Sequence, residues 1–227
     1  EKPIRDVRPR IEIDDETWRD GMQGTQAVHH PSLEQKASYI ETAANFGYVD
    51  HFDIGFPASG PTHRKEMIDL IKFSTGRKLS LTFSAAGRGA AIDDGKSILE
   101  VAQKTGIPLR ADLFLDASSI RASVEGWNRE EKLRQAMKNI AFLRNEGLPV
   151  MFVPERASVT SPQELFEACI MAAEEGVDRI AIADTTGVLT PYGTSKLLRA
   201  IFEKIGSKHP NVKFDFHEHN DLGMETG

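Results

Sequence analysis

Short apolar stretches alternate along this chain with longer segments in which apolar residues recur at helical spacing. The short stretches predict buried strands, and the longer segments predict amphipathic helices. The predicted strands cover residues 11–13, 48–55, 79–84, 109–115, 150–153, 179–184 and 212–217. The predicted helices cover about 33–46, 62–73, 93–105, 128–146, 161–175 and 191–206. Strands and helices that alternate at roughly 30 residues per unit predict a parallel sheet with right-handed crossovers.

Residues at the helix ends agree with this pattern. Ser32 precedes the first predicted helix as a suitable N-cap, and Gly47 follows it as a stop signal. Ser161 and Pro162 open the fifth helix, with serine as the cap and proline in the first turn. These signals support helix boundaries at the predicted positions.

Two α/β architectures fit such an alternation, a (β/α)8 TIM barrel and an open doubly wound sheet. No Gly-x-Gly-x-x-Gly follows the first strand, which weakens the dinucleotide-binding form of the open sheet. A barrel brings the carboxyl ends of all its strands to one face, where active sites are built. Polar clusters follow the seven predicted strands, at residues 19–23, 55–57, 84–88, 116–119, 155–156, 184–187 and 217–221. We therefore expect residues 1–227 to form a single catalytic TIM-barrel domain.

The length bears on how complete this barrel is. A barrel of this kind usually needs about 250 residues, and the seventh predicted strand ends just before Gly227. We therefore expect an eighth strand beyond Gly227, so that the barrel in this sequence is truncated at its C-terminal end.

The strongest candidate site combines residues from the two ends of the chain. His217 and His219 stand at i and i+2 on the seventh strand, so their side chains point to the same face. Asp20 lies in the loop that follows the first strand. Two imidazoles and one carboxylate suit Zn²⁺, Mn²⁺, Co²⁺ or Fe²⁺, and they suit Mg²⁺ less naturally. Three protein ligands leave coordination positions open for a chelating substrate.

Other polar residues at the strand ends allow more than one interpretation. Arg19 either forms an ordinary salt bridge or holds a substrate carboxylate beside the metal ligands. Glu155 is either a catalytic carboxylate or a solvated loop residue, and Arg88 is a candidate contact for an anion. Asp53 at the end of the second strand orders the mouth of the barrel in the simplest interpretation. Thr185, Thr186 and Gly187 offer hydroxyl and backbone donors.

Composition excludes several classes of function. The chain has 227 residues, of which 28 are basic and 34 acidic, and no Lys/Arg stripe suggests nucleic acid or an anionic membrane. No apolar run reaches the roughly 18 residues that span a bilayer, and residues 1–6 have no apolar segment typical of a signal peptide. The single cysteine, Cys169, indicates a reducing compartment. We expect a cytoplasmic protein.

Two motifs resemble one known superfamily, the metal-dependent TIM-barrel lyases and synthases. Residues 15–23 (Asp-Glu-Thr-Trp-Arg-Asp-Gly-Met-Gln) resemble its Asp-x-Thr-Leu-Arg-Asp-Gly-x-Gln signature, and residues 217–223 (His-Glu-His-Asn-Asp-Leu-Gly) resemble its His-x-His-Asn-Asp-x-Gly motif. The superfamily includes 2-isopropylmalate, homocitrate and citramalate synthases, HMG-CoA lyase and 4-hydroxy-2-oxovalerate aldolase. Within it, the motif around Asn220 and residues 55–57 (Gly-Phe-Pro) are most similar to the 2-isopropylmalate synthase group.

The resemblance implies an activity and a set of site residues. Asp20, His217 and His219 would bind a divalent metal (Mg²⁺, Mn²⁺ or Zn²⁺), Arg19 would contact the keto acid, and Gln23 and Thr186 would help shape the pocket. The implied reaction is a Claisen-type condensation of acetyl-CoA, the co-substrate, with an α-keto acid. Glu155 is our candidate for the catalytic base. The implied partners are small molecules and a second copy of the chain in a homodimer, with no nucleic acid and no membrane.

Two departures from the synthase pattern keep alternatives open. Met22 stands where synthases usually carry Glu, and aldolase members can have Met there. Residues 153–156 (Val-Pro-Glu-Arg) keep only the Glu of the synthases' Ser-x-Glu-Asp. One alternative is a metal-dependent aldolase or lyase of the same superfamily, similar to HMG-CoA lyase or 4-hydroxy-2-oxovalerate aldolase. The other is a non-catalytic barrel that binds a metabolite.

Overall fold

Seven parallel strands form one curled sheet in the computed structural model, which describes residues 11–23 and 30–224. Each strand pairs with its neighbour in chain order, so the first and the seventh lie at the two edges. The strands are Asp14–Asp15 (β1), His51–Asp53 (β2), Thr82–Arg88 (β3), Arg110–Leu115 (β4), Val150–Pro154 (β5), Arg179–Asp184 (β6) and Lys213–Glu218 (β7). The fold is therefore an incomplete (β/α)8 TIM barrel, as the sequence predicts. The eighth strand expected beyond Gly227 stays a prediction.

Helices connect the strands on the outside of the sheet. They are Leu33–Phe46 (α1), Pro61–Gly76 (α2), Ile92–Thr105 (α3), Ser119–Glu125 (α4), Arg129–Asn145 (α5), Pro162–Glu174 (α6) and Pro191–Ile201 (α7). The Ser32 side chain accepts from the Gln35 backbone N–H, and Gly47 adopts a left-handed conformation with φ 70°, which confirms both ends predicted for α1. None of the helices in residues 11–23 and 30–224 combines the length and the hydropathy of a membrane-spanning segment.

Two helical features differ from the prediction: α4 is not predicted, and the last helix is not regular up to residue 206. Ser118 caps α4 by accepting from the Arg121 backbone N–H, and Gly126 ends it in a left-handed conformation. The predicted helix at 191–206 changes after Ile201 to a π-helical turn at residues 202–206. Both errors arise because a short helix and a change of helical hydrogen bonding leave little trace in apolar periodicity.

The prediction of a buried strand at residues 11–13 is wrong. Ile11 is 81% exposed and Ile13 is 48% exposed. Pairing with β2 begins at Asp14, although the Ile13 carbonyl already accepts from the Asp50 backbone N–H at 2.9 Å. In the described sheet β1 is an edge strand, so these isoleucines have a neighbouring strand on one side only.

Side chains along β4 alternate between two environments. Leu113 and Leu115 are buried in the apolar core between sheet and helices. Asp112 and Phe114 face the interior of the barrel and line its cavity. The alternation follows from the pleat of a strand, in which successive side chains point to opposite faces. Strand residues of one parity thus stabilise the fold, and those of the other parity are available for chemistry.

A buried ion pair ties opposite strands together across the barrel interior. The Arg110 guanidinium donates to both carboxylate oxygens of Asp112, at 2.7 and 2.9 Å, and also pairs with Asp14 of β1. Arg110 is 7% exposed and Asp112 is 3% exposed. Since Asp14 lies on β1 and Arg110 on β4, this contact fixes the edge strand against the middle of the sheet.

We expect Arg110→Leu to lower the free energy of unfolding by about 3 kcal/mol, because it leaves buried carboxylates without a partner. Urea unfolding followed by circular dichroism measures the change. Arg144→Leu is the matched control, since Arg144 forms a more exposed ion pair with Asp178 that contributes about 0–1 kcal/mol. Equal losses in the two variants would contradict a structural role for the buried pair.

Candidate functional site

A cavity of about 180 Å³ opens at the carboxyl ends of the strands. Its lining combines ionisable side chains with an apolar wall formed by strand residues. The ionisable residues include Glu16, Arg19, Asp20, Asp53, Asp112, Glu155, His217 and His219. The apolar residues are Ala86, Phe114, Met151, Val153, Ala181 and Ala183. Polar residues of the predicted clusters at 19–23, 155–156, 184–187 and 217–221 therefore meet at this end of the barrel.

The structure brings Asp20, His217 and His219 together at the edge of this cavity. The Nε2 atoms of His217 and His219 lie 3.4 Å apart. Asp20 Oδ2 lies 3.3 Å from the first and 3.5 Å from the second. Three ligand atoms that each bind one ion at about 2.1 Å with tetrahedral angles are spaced about 3.4 Å apart. The donor set and its spacing therefore fit a single divalent metal ion.

Hydrogen bonds leave one oxygen of Asp20 free for this role. Asp20 Oδ1 accepts from Gln23 Nε2 at 2.8 Å and from Arg19 Nη1 at 3.1 Å. Asp20 Oδ2 faces the two imidazoles. The contact with His217, together with the positive charge of Arg19, holds the pKa of Asp20 below its usual range. Asp20 is therefore a carboxylate at neutral pH, as a metal ligand must be.

Three carboxylates surround the guanidinium of Arg19. Its Nε donates to Asp53 at 3.0 Å, its Nη1 donates to Asp20, and its Nη2 donates to Glu16. Although burial disfavours the positive charge, these carboxylates outweigh that effect and raise the pKa of Arg19. A guanidinium carries five N–H donors, so two remain for a bound anion. Asp53, interpreted from sequence as a residue that orders the mouth of the barrel, orients Arg19.

The turn that carries Arg19 and Asp20 is packed against α1. The Trp18 ring meets the Tyr39 ring edge to face, with centroids 5.1 Å apart. The Tyr39 hydroxyl donates to Asp15 at 2.7 Å. The Glu16 carbonyl accepts backbone N–H groups from Arg19 and Asp20. These contacts fix the direction in which the Arg19 and Asp20 side chains leave the loop.

Burial has a larger effect on the pKa of several cavity carboxyl groups than the neighbouring guanidinium groups of Arg19 and Arg110. Burial and the neighbouring charge of Glu16 raise the pKa of Asp53, and burial raises that of Asp112. Burial also raises the pKa of Glu16 to about 7, with repulsion from Asp112 adding to the effect and Arg19 opposing it. The cavity therefore concentrates more acidic groups than it can comfortably keep ionised.

Glu155 lies where the sequence analysis places it, at the end of β5 and on the cavity wall. Burial raises its pKa, and the charge of Asp116 adds to this effect. Its backbone N–H donates to the Leu115 carbonyl at 3.1 Å. A partly buried carboxyl with a raised pKa is the usual form of a general base or acid.

Two residues proposed from sequence as substrate contacts lie elsewhere among the described residues. The Arg88 guanidinium makes two hydrogen bonds to Asp94, at 2.8 and 2.9 Å, and stacks over the Phe56 ring, and Arg88 is absent from the cavity lining. The Thr186 hydroxyl contacts Ser158 and Asp184 instead of the cavity. Arg88 therefore forms an ion pair with the first turn of α3, and the Thr186 hydroxyl contacts the loop after β5.

Thr185 takes the place that the sequence analysis gave to Thr186. It lines the cavity beside Ala181 and Ala183, and its hydroxyl accepts from the Arg156 backbone N–H at 2.9 Å. The period of two along β6 was the available signal, since residues 181, 183 and 185 share one face. Glu16 was also missed, although it precedes the Arg19-Asp20 pair by one helical turn.

Gly187 allows the loop after β6 to lie close to the segment that follows β7, which contains His219 and Asp221. A Cβ atom at this position would lie 2.5 Å from Asp221 Oδ2 and 2.6 Å from the His219 carbonyl oxygen. The residue has φ +56°, a conformation that side-chain-bearing residues rarely adopt. The His219 backbone N–H also faces the Asp184 carbonyl at 3.4 Å. Gly187 and Asp184 therefore determine where His219 stands.

The opposite end of the barrel has a cavity of about 410 Å³. Its lining includes Arg110, Arg179 and Lys213. These cations already have partners within the chain, since Arg179 pairs with Glu12 and Asp215, and Lys213 pairs with Glu12. The ionisable side chains there stabilise the fold, and the carboxyl-end cavity is the candidate active site.

Residues 10–227 match the model of one protein family, which is described as HMGL-like. Curated relatives include homocitrate synthases from Saccharolobus islandicus and Sulfolobus acidocaldarius. Both are 28% identical to this chain, over 95% and 98% of its length respectively. The chain spans 44% and 45% of these relatives, which is less than half of their length.

Solved structures share the fold at low sequence identity. HMG-CoA lyase from Brucella melitensis superposes with a TM-score of 0.71 at 17% identity, covering 96% of this chain and 75% of that one. The carboxyl transferase domain of Rhizobium etli pyruvate carboxylase superposes with a TM-score of 0.65 at 18% identity, covering 96% and 37%. Both likenesses support the barrel architecture alone.

We expect Gly187→Ala to weaken the binding of Co²⁺ at least about tenfold, because the new methyl group displaces the His219 backbone. Mutations of residues that orient metal ligands typically lower metal affinity about 10–100-fold. Competition with a chelator measures the dissociation constant. Gly126→Ala is the matched control, since Gly126 has φ +67° and no atom within 4 Å of its Cβ position. It carries the same backbone cost of about 1–2 kcal/mol and leaves the site intact. Equal affinities in the two variants would show that the close approach is unimportant.

Proposed function

Because the chain belongs to the HMGL-like family, we propose that its barrel catalyses a divalent-metal-dependent condensation of acetyl-CoA with an α-keto acid. The observation that carries the proposal is the convergence of Asp20, His217 and His219 beside the Arg19 guanidinium. The 28% identity to homocitrate synthases supports an acyltransferase that forms a carbon–carbon bond. Zn²⁺, Mn²⁺ and Mg²⁺ are the candidate ions, and the two imidazoles favour the first two.

The residues of the cavity have complementary tasks in this reaction. A bound divalent ion would act as a Lewis acid that polarises the keto group of the substrate. The two free N–H donors of Arg19 would hold the keto acid's carboxylate. Gln23 keeps Asp20 in its orientation through the 2.8 Å hydrogen bond. Thr185, which replaces Thr186 as the candidate on this loop, offers a hydroxyl to the substrate from the β6 side.

Glu155 is our proposed general base. It would take a proton from the methyl group of acetyl-CoA, and the resulting carbanion would attack the keto carbon. The new carbon–carbon bond replaces the π bond of the keto group, whose oxygen takes up a proton and becomes a hydroxyl. Water then hydrolyses the thioester and releases CoA as the free thiol. The raised pKa of Glu155 suits proton abstraction near neutral pH, because a more basic carboxylate is a better match for a weakly acidic methyl group.

The apolar wall of the cavity supports a substrate of the 2-isopropylmalate synthase type. Phe114, Met151 and Val153 face the space beside the candidate metal ligands, and Ala181 and Ala183 leave room there. Among the described lining residues, Arg19 is the one guanidinium or ammonium group. An α-keto acid with an apolar side chain fits this wall, whereas a second carboxylate would lie among Asp112 and Glu155 without a counter-charge.

A lyase or aldolase of the same family is the second candidate, and Met22 is the observation that favours it. Such an enzyme would use the same ligands and Arg19 to cleave a carbon–carbon bond.

The lone cysteine, Cys169, is buried and supports a reducing, cytoplasmic setting. The homodimer expected from the sequence is likewise part of this proposal.

Purified protein with added Mn²⁺ or Zn²⁺ should release CoA from acetyl-CoA in the presence of α-keto acids with apolar side chains. Asp20→Asn and His217→Ala should abolish both bound metal and CoA release, because each removes one of three ligands. His209→Ala is the matched control, since His209 precedes β7 at the opposite end of the strand. Metal content is measured by elemental analysis and CoA by reaction of its thiol.

The outcomes separate the candidate functions. Release of CoA with 2-oxoglutarate in preference to apolar keto acids would overturn the proposed side-chain specificity. Cleavage of 3-hydroxy-3-methylglutaryl-CoA or of a 4-hydroxy-2-oxo acid without condensation would favour the lyase. Full metal occupancy with no turnover on any of these substrates would indicate a non-catalytic barrel.

We expect Glu155→Gln to lower kcat at least about 100-fold, the usual contribution of a general base, with little change in bound metal. In the wild type, activity should fall as the pH drops through the raised pKa of Glu155, because the base must be ionised. The midpoint of this acid limb in the pH profile of kcat/KM should lie above the ordinary pKa range of glutamate. The limb should disappear in the variant. Glu125→Gln, an exposed change on α4, is the control. A limb that persists in Glu155→Gln would exclude Glu155 as the base.

A further inference from the structure

Glu16 is an acidic residue of the cavity with no role in the proposed reaction so far. It stands in the turn between β1 and Asp20, and its side chain is 22% exposed. One carboxylate oxygen pairs with Arg19 Nη2. The other, Oε1, lies 3.9 Å from Nδ1 of His217. Glu16 thus faces both the guanidinium and the far side of a candidate metal ligand.

The two nitrogens of His217 face different partners. Nε2 points to Asp20 and His219, where the three ligand atoms converge. Nδ1 is on the Glu16 side of the ring. A neutral imidazole binds a metal only through a nitrogen that carries no proton. Coordination through Nε2 therefore requires that the proton of His217 reside on Nδ1.

We infer that Glu16 is a positioning residue that holds the Nδ1–H tautomer of His217 and thereby strengthens metal binding. The inference rests on the proposed metal site. A carboxylate opposite the distal N–H of a metal-bound histidine fixes both the tautomer and the orientation of the ring. Arg19 donates to the same carboxylate. Glu16 therefore contacts both Arg19, which is proposed to bind the substrate, and His217, which is proposed to bind the metal.

The inference depends on the acceptor character of both Glu16 oxygens. In Glu16→Gln, an amide of the same shape has one oxygen and one NH₂ group. If the oxygen keeps the bond to Arg19, the NH₂ group faces Nδ1 of His217 and favours the tautomer with the proton on Nε2. That tautomer must give up its Nε2 proton before Nε2 can bind the ion. We therefore expect Glu16→Gln to weaken Co²⁺ binding about 10–100-fold.

Asp53→Asn is the matched control for this experiment. Asp53 also accepts from Arg19, at 3.0 Å, but it has no contact with His217. A loss that arises through the Arg19 network should appear in both variants, whereas a loss that arises through His217 should appear in Glu16→Gln alone. The Co²⁺ dissociation constants of wild type, Glu16→Gln and Asp53→Asn are measured by competition with a chelator at pH 8.

A second readout reports the tautomer directly. In the metal-free protein at pH 8, Asp20 Oδ2 faces Nε2 of His217 in both the wild type and Glu16→Gln. Imidazole ¹⁵N chemical shifts should nevertheless show a larger share of His217 protonated on Nδ1 in the wild type than in Glu16→Gln. An equal or smaller share in the wild type would overturn the inference.

The failure of this inference can be distinguished from the failure of the proposed function. Weaker Co²⁺ binding in Glu16→Gln alone supports the role of Glu16. Unchanged binding in that variant, or an equal loss in Asp53→Asn, overturns that role while the metal site stands. If the wild-type protein itself binds no Co²⁺, both the metal site and the role of Glu16 are refuted.

Discussion

Burial of the Arg19 guanidinium among Glu16, Asp20 and Asp53 is the interaction on which the candidate site depends. These carboxylates come from the turn after β1 and from β2, so the guanidinium joins two neighbouring strand ends. It occupies one oxygen of Asp20 and leaves the other directed at the histidines. A lysine could not do this, because a single ammonium lacks the planar fork that reaches three partners in fixed directions.

The charge balance of the cavity explains why this arrangement suits a cation. Five carboxyl groups line it against one guanidinium and two imidazoles. Burial raises the pKa of Asp53, Asp112 and Glu155, which shows that the interior resists further negative charge. A divalent ion at the Asp20 side would offset this excess of acidic groups. The apolar residues on β4, β5 and β6 then provide the part of the cavity where a neutral side chain is stable.

Much of the fold could be predicted because the decisive signals are local. Ser32 and Gly47 fix both ends of α1, and the apolar run at 179–184 coincides with β6. The proximity of Asp20 to His217 and His219 could be predicted from strand parity together with the shared face of a parallel barrel. For Arg88 and Thr186, the position at a strand end did not reveal that a nearby carboxylate contacts the side chain. Asp94 of α3 captures Arg88, and the parity of β6 puts Thr185 in the cavity. The exposure of Ile11 and Ile13 depends on β1 being an edge strand, which no local pattern records.

The contact between Asp20 and His217 joins residues roughly 200 positions apart in the sequence. Contacts of such long range form late in folding, because the entropy of closing so large a loop must first be offset by the strands between. During synthesis, the loop after β1 leaves the ribosome long before β7, so Asp20 can contact His217 only after β7 has been made. An ion held by both residues would therefore bind only after the intervening strands have brought the two ends of the chain together.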